Sequence, residues 1–152
     1  MLATEILKQD HREVMNLIEL LENAEDNDAD DNRETFGRLR DALMLHMQEE
    51  EEIYYPALAA LEDFADEIED NVADHEMVKD NLAEMSGLEP TSDEFQNLLT
   101  ETKAAIEMHV TKEEDDIFPE SIEQLGEDRI AELGEEIEQL KSEGGMSHSA
   151  TM

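Results

Sequence analysis

Four stretches of this chain repeat apolar residues at alternating steps of three and four, and a histidine interrupts each stripe. That spacing belongs to a helix burying one face. The stripes are Leu7, His11, Val14, Ile18 and Leu21; Phe36, Leu39, Leu43, His46, Glu50 and Ile53; Phe64, Ile68, Val72, His75, Val78, Leu82 and Met85; and Phe95, Leu99, Thr102, Ile106, His109, Glu113 and Ile117. A lone amphipathic helix has nothing to bury its stripe against, so four of them predict an all-α bundle.

The first helix is expected from about Ala3 to Asn23, followed by a loop over the Asp- and Asn-rich residues 25–32. The second runs from roughly Arg33 to Tyr55 and should end at Pro56. The third reaches about Met85, with Gly87 and Pro90 as stop signals. Thr91, Ser92, Asp93 and Glu94 open the fourth with capping chemistry, and Pro119 should end it. Short connections favour an up-down-up-down four-helix order. An additional C-terminal helix over about 121–140 should pack outside, giving a unit over 1–142 with its metal core within 3–119 and a disordered tail over 143–152.

Scarce Gly, Pro and aromatic residues agree with a helical chain. The absence of cysteine excludes disulfides, thiolate zinc sites and iron–sulfur clusters, so any metal must be held by nitrogen and oxygen. With 44 acidic residues against 10 basic ones, the formal charge of -34 repels nucleic-acid phosphates and anionic membranes. No apolar run approaches a bilayer span, and the start MLATEILKQD lacks a signal-peptide pattern, so a cytoplasmic protein is expected. Such self-repulsion suits a salt-rich cytoplasm and favours a monomer.

A single histidine on an apolar stripe is ordinarily a packed core residue. Here four occur, one per helix, and two carry a glutamate four residues on: His46 with Glu50, and His109 with Glu113. Both glutamates face inward, and no Lys or Arg lies on the second or fourth stripe to neutralise them; an uncompensated buried carboxylate costs several kcal/mol. A bound cation supplies the missing charge. The segments HMQEEEEIYYP from His46 and HVTKEEDDIFP from His109 place Glu and Pro alike, so the pair is used twice. Imidazole with carboxylate suits iron, manganese or zinc, and two glutamates suffice to bridge two ions. A ferritin-like Glu-x-x-His site fails, because Lys8, Leu43, Val72, Ile106 and Gly145 precede the histidines by three. The acid run from Asp26 lacks the turn glycine of a calcium loop and reads as solvated. The remaining acids of 49–52 and 113–116 read as solvated faces.

The ordered set His, His-x-x-x-Glu, His, His-x-x-x-Glu resembles the hemerythrin-like family, the HHE cation-binding domain, over about residues 3–119. The resemblance implies two iron ions, oxo- or hydroxo-bridged, held by His11, His46, Glu50, His75, His109 and Glu113, with both glutamates bridging. Oxygen carriers of the family typically have a fifth histidine four residues from the third-helix one, where this chain has Asn71 and Lys79. They also close the last motif with Asp at the fifth following residue, which here is Glu114. The open position is available to water, to Glu49, or to Tyr54 or Tyr55, with Tyr54 on the more favourable face. Otherwise Tyr54 caps the bundle end with its hydroxyl in water.

These features favour a small-ligand protein binding dioxygen or nitric oxide for sensing, scavenging or storage, with no catalytic residue of its own. The alternatives are a di-iron redox enzyme or iron-donor protein acting on peroxide, nitric oxide or damaged iron–sulfur centres, and a metal-free acidic scaffold.

Overall fold

In the computed structural model the backbone of residues 1–151 is described, with all side chains except those of Glu62 and residues 144–152. The helices are α1 (Ala3–Glu22), α2 (Ala29–Glu49), α3 (Tyr55–Ala59), α4 (Ala65–Met85), α5 (Asp93–Lys112), α6 (Phe118–Leu125) and α7 (Glu127–Thr151). Among the described residues there is no strand, and no helix is long and apolar enough to cross a membrane. The expected disordered tail falls, beyond Glu143, on residues whose side chains lie outside the described set.

Capping chemistry sets two of the boundaries. The Ser92 hydroxyl accepts from the Phe95 N–H at 3.2 Å and opens α5 one residue after Thr91. Gly126, at φ 85°, lets the chain turn between α6 and α7, so the single helix expected over 121–140 is broken there.

The two prolines do not stop their helices. Five-residue π-helical turns, Glu50–Tyr54 and Glu113–Ile117, join α2 to α3 and α5 to α6 as continuous rods. The Tyr55 N–H bonds back to the Glu50 carbonyl and the Phe118 N–H to the Glu113 carbonyl, each one residue further than in an α-helix. Proline lacks a donor, and its ring collides with the carbonyl four residues back. The wider turn relieves that collision just before Pro56 and Pro119, so both rods continue past them.

α1 packs on α2, α5 and α7, while α4 packs on α5, α3 and α2. The apolar interior divides in two. One cluster joins Leu17, Ile18, Leu39, Leu43, Leu82, Met85, Phe95 and Leu99. The other joins Ile6, Leu7, Tyr54, Tyr55, Leu58, Ile117 and Phe118 to Ile130, Leu133 and Ile137 of α7. The four stripe histidines and two stripe glutamates lie between them and are all buried. Along α1 and α4 the chain passes from the second cluster through its histidine to the first, and along α2 and α5 it passes the other way.

α7 seats at close range on the amino terminus of α1. Ile130, Leu133 and Ile137 are essentially inaccessible, each contributing roughly 1.5–3 kcal/mol by burial. At Gly134 an added Cβ would collide with the Met1 carbonyl and lie 2.9 Å from the Ala3 nitrogen, backbone that cannot swing away. Gly134→Val is therefore expected to lower stability by about 1–3 kcal/mol through forced separation of α7 from α1. Denaturant midpoints for the variant and the parent check this, and equal midpoints would disprove the contact.

Candidate metal centre

Mid-helix positions of α1 and α4 deliver His11 and His75, the last turns of α2 and α5 deliver His46 and His109 to the same layer, and the first residue of each π turn delivers Glu50 and Glu113. Glu50 is wholly inaccessible, and its Oε1 lies 3.3 Å from His46 Nε2, 3.1 Å from His75 Nε2 and 3.7 Å from His109 Nε2. Glu113, equally inaccessible, lies 3.2 Å from His11 Nε2 through Oε1 and 3.3 Å from His109 Nε2 through Oε2. All six residues singled out by spacing are thus brought together.

Each ring also meets a second carboxylate on its far nitrogen. His11 Nδ1 lies 2.7 Å from Glu114, His46 Nδ1 3.0 Å from Asp10 and His75 Nδ1 2.8 Å from Glu51, with His109 Nδ1 at 3.8 Å from Asp74. On His11, His46 and His75 a carboxylate hydrogen-bonded to Nδ1 holds a proton there and leaves Nε2 directed inward, the arrangement that orients metal-ligating histidines, whereas His109 Nδ1 has no hydrogen-bond partner. The sequence reading of Glu51 and Glu114 as solvated is corrected by these contacts. Each outer acid is a sequence neighbour of an inner residue: Asp10 precedes His11, Asp74 precedes His75, Glu51 follows Glu50 and Glu114 follows Glu113. That adjacency was the available signal; the pairing across helices was not legible. Glu49 is likewise inaccessible, lying against Lys141 of α7 at 3.0 Å.

Tyr54 requires a correction. Its hydroxyl is paired with Ser121 Oγ at 2.8 Å, away from the histidines and fully out of water, so it neither faces the centre nor caps a wet bundle end. The π turn is the cause: it places the residue five beyond Glu50, not four, over the centre. Tyr55 occupies that place, donating to Glu113 Oε2 at 3.0 Å and lying 3.5 Å from His109 Nε2. Its ring stacks on His75 with centroids 5.7 Å apart, as Phe118, five beyond Glu113, stacks on His11 at 6.0 Å. The duplicated segments thus differ at this position by one hydroxyl. Burial and the two glutamates push the Tyr55 phenol up, so it remains a donor.

Electrostatics follow from this crowding. Although burial opposes a charged ring, Glu50 and Asp10 hold His46 well above its ordinary value, and Glu113 with Glu50 pushes His109 up to about 10. Burial alone would raise Glu50, but the charge on His46 beside it holds it well below the usual carboxylate range.

Hydrogen bonding leaves the layer incomplete. Both Glu50 oxygens, His46 Nε2 and His75 Nε2 are buried without a hydrogen-bond partner, despite their proximity. Such atoms are costly unless something else satisfies them. Around Glu50, donor atoms close enough to share a cation fall into two sets, His11 with His46, Glu50 and Glu113, and His75 with His109 and Glu50; a third set, Asp10 with His46 and Glu49, lies outside that layer. Nitrogen and oxygen donors that repel one another when empty, with one carboxylate common to both sets, fit a cation in each. Asn71, one turn before His75, is also wholly buried with neither amide atom paired. The other buried asparagines are satisfied: Asn32 donates to the Ala24 carbonyl and Asn81 to Thr102 Oγ1.

Comparison with known families agrees with this chemistry. The description Hemerythrin HHE cation binding domain matches residues 2–121. The chain belongs to the hemerythrin HHE family. The match ends inside α6, so α7 lies beyond the residues that define the family. No curated protein and no solved structure gave a match. Cation binding is the property the hemerythrin HHE domain carries, and the two donor sets that share Glu50 are candidate sites for it in this chain.

Proposed function

We propose that the protein is an up-down-up-down hemerythrin-like bundle holding two iron ions and binding a small diatomic ligand, dioxygen or nitric oxide, for sensing, scavenging or storage. The observation that carries the reading is the division of the buried donors into two sets that share Glu50. In this reading His11, His46 and Glu113 would hold one ion and His75 and His109 the other, with Glu50 available to both. The alternating passage of the four helices between the two apolar clusters supports the up-down order.

Iron held in this way supplies ligand-binding and one-electron chemistry that no side chain of this chain provides. The chain's own residues set the conditions. Glu114, Asp10 and Glu51 fix the rings of His11, His46 and His75, while the stacked Tyr55 and Phe118 limit rotation of His75 and His11. Val14, Leu43, Val78 and Ile106 line one side of the layer around a cavity of about 30 Å³, keeping it apolar and too small for an organic substrate. A two-atom ligand matches that space.

The Tyr55 hydroxyl favours a second reading, a di-iron redox enzyme acting on peroxide or nitric oxide, because it is a fixed proton donor beside His109 and Glu113. A metal-free scaffold would leave the orphaned donors of the layer without purpose.

The test has two stages. Iron-loaded protein should analyse at about two irons per chain, and less than about one would sink the proposal. The reduced protein is then mixed rapidly with oxygen, nitric oxide and peroxide. A stable, reversible adduct is the expected result, whereas repeated consumption would replace the binding role with the enzymatic one.

A further inference from the structure

The appended helix reaches the centre through one side chain. Lys141 of α7 places Nζ 2.8 Å from Asp10 Oδ1 and 3.0 Å from Glu49 Oε2. The other Asp10 oxygen lies 3.0 Å from His46 Nδ1, and His46 Nε2 faces Glu50. A two-step chain of ionic contacts therefore runs from α7 to the first set of donors. Both carboxylates are buried, and among the described residues Lys141 is the only lysine or arginine within ion-pair distance of two buried acids.

The arrangement has an alternative that Lys141 suppresses. Asp10, His46 and Glu49 by themselves have donor atoms close enough to share a cation. An ion there would engage His46 through Nδ1 and compete with the inward role of its ring. The lysine ammonium fills that place with a fixed positive charge and carries its own helix with it. Without it, Asp10 and Glu49 would be two uncompensated buried carboxylates side by side, free to turn or to recruit a stray ion.

We propose that Lys141 is a positioning residue for the metal centre: by neutralising Asp10 and Glu49 it holds Asp10 on His46 Nδ1 and so directs Nε2 towards Glu50. This rests on the metal reading above. It ties full affinity at the His11–His46 half to the charge of one side chain on α7, a helix outside the family-matched residues.

Cobalt(II) is a suitable probe, since its visible absorption reports the ligand field and its binding can be titrated. Lys141→Met retains the side-chain stem and removes the charge; Lys141→Gln replaces it should the Met variant not fold. Lys141→Arg restores charge, and Leu133→Ala loosens α7 without touching the ion pairs. The charge-removing variant is expected to bind the more weakly held of two cobalt equivalents about 10–100-fold less tightly, with an altered spectrum. Lys141→Arg should recover both, and Leu133→Ala should keep the wild-type spectrum. Wild-type affinity and spectrum in the charge-removing variant would overturn the proposal, as would equal losses in Leu133→Ala without rescue by arginine. If the wild-type protein itself takes up no cobalt and no iron, it is the metal reading that has failed.

Discussion

Replacing Glu50 by glutamine is expected to take the protein from about two bound irons per chain to at most about one, and to destabilise the metal-free fold as well. Glu50 is the carboxylate common to both donor sets, within 3.7 Å of three histidine nitrogens and wholly shielded from water. Glutamine keeps the shape but removes the charge that compensates His46 and His109. Breaking a buried pair from one side leaves the other charge stranded, at a cost of about 3–5 kcal/mol. Glu52→Gln provides the control, because it makes the same charge change two residues away on an exposed position. Metal analysis and thermal unfolding of the two variants check both halves of the expectation. A Glu50→Gln protein that retained full iron would remove Glu50 from the ligand set.

The second large effect comes from outside the centre. With 44 acidic and 10 basic residues, most carboxylates cannot find a cationic partner, and the surface ion pairs present, such as Arg33 with Asp30 and Glu89 or Lys103 with Glu22, neutralise only a few. Raising salt from about 0.1 M to 1 M shortens the screening length from roughly 10 Å to 3 Å, which removes most repulsion between exposed charges. The unfolding midpoint is expected to rise by about 10 °C or more, equivalent to roughly 3 kcal/mol for a chain of this size. Equal midpoints in low and molar KCl would show that the charge is not limiting stability, and with it would fall the proposed salt-rich setting.

Much of the bundle was legible because helical spacing and residue chemistry coincide. His11, His46, His75 and His109 are polar residues at positions that periodicity assigns to the interior, and such a contradiction marks a site when it repeats on every helix. The same logic found Glu50 and Glu113. What escaped was set by geometry that leaves the apolar period untouched. A π turn adds one residue to the rod, so Tyr55 and Phe118 stand over the histidines where Tyr54 was expected, and Pro56 and Pro119 are passed through. The outer carboxylates escaped for a different reason: on a chain this acidic, Glu51 or Glu114 looks no different from its solvated neighbours until the opposing helix is in place. Lys141 carried no local signal, since its partners lie on α1 and α2.

The two apolar clusters on either side of the ionisable layer have a bearing on how the molecule comes apart. Each of the four long rods, α1, α2 with α3, α4, and α5 with α6, adds side chains to both clusters, so neither can be removed by trimming a terminus. The weak plane runs across the bundle, through the histidines, and there cohesion comes from charge where elsewhere it comes from oily contact. Without cations this plane is a seam, and amides on either side of it can exchange with solvent on separate clocks. With cations bound it becomes a weld, and the two ends of the protein open and close as one.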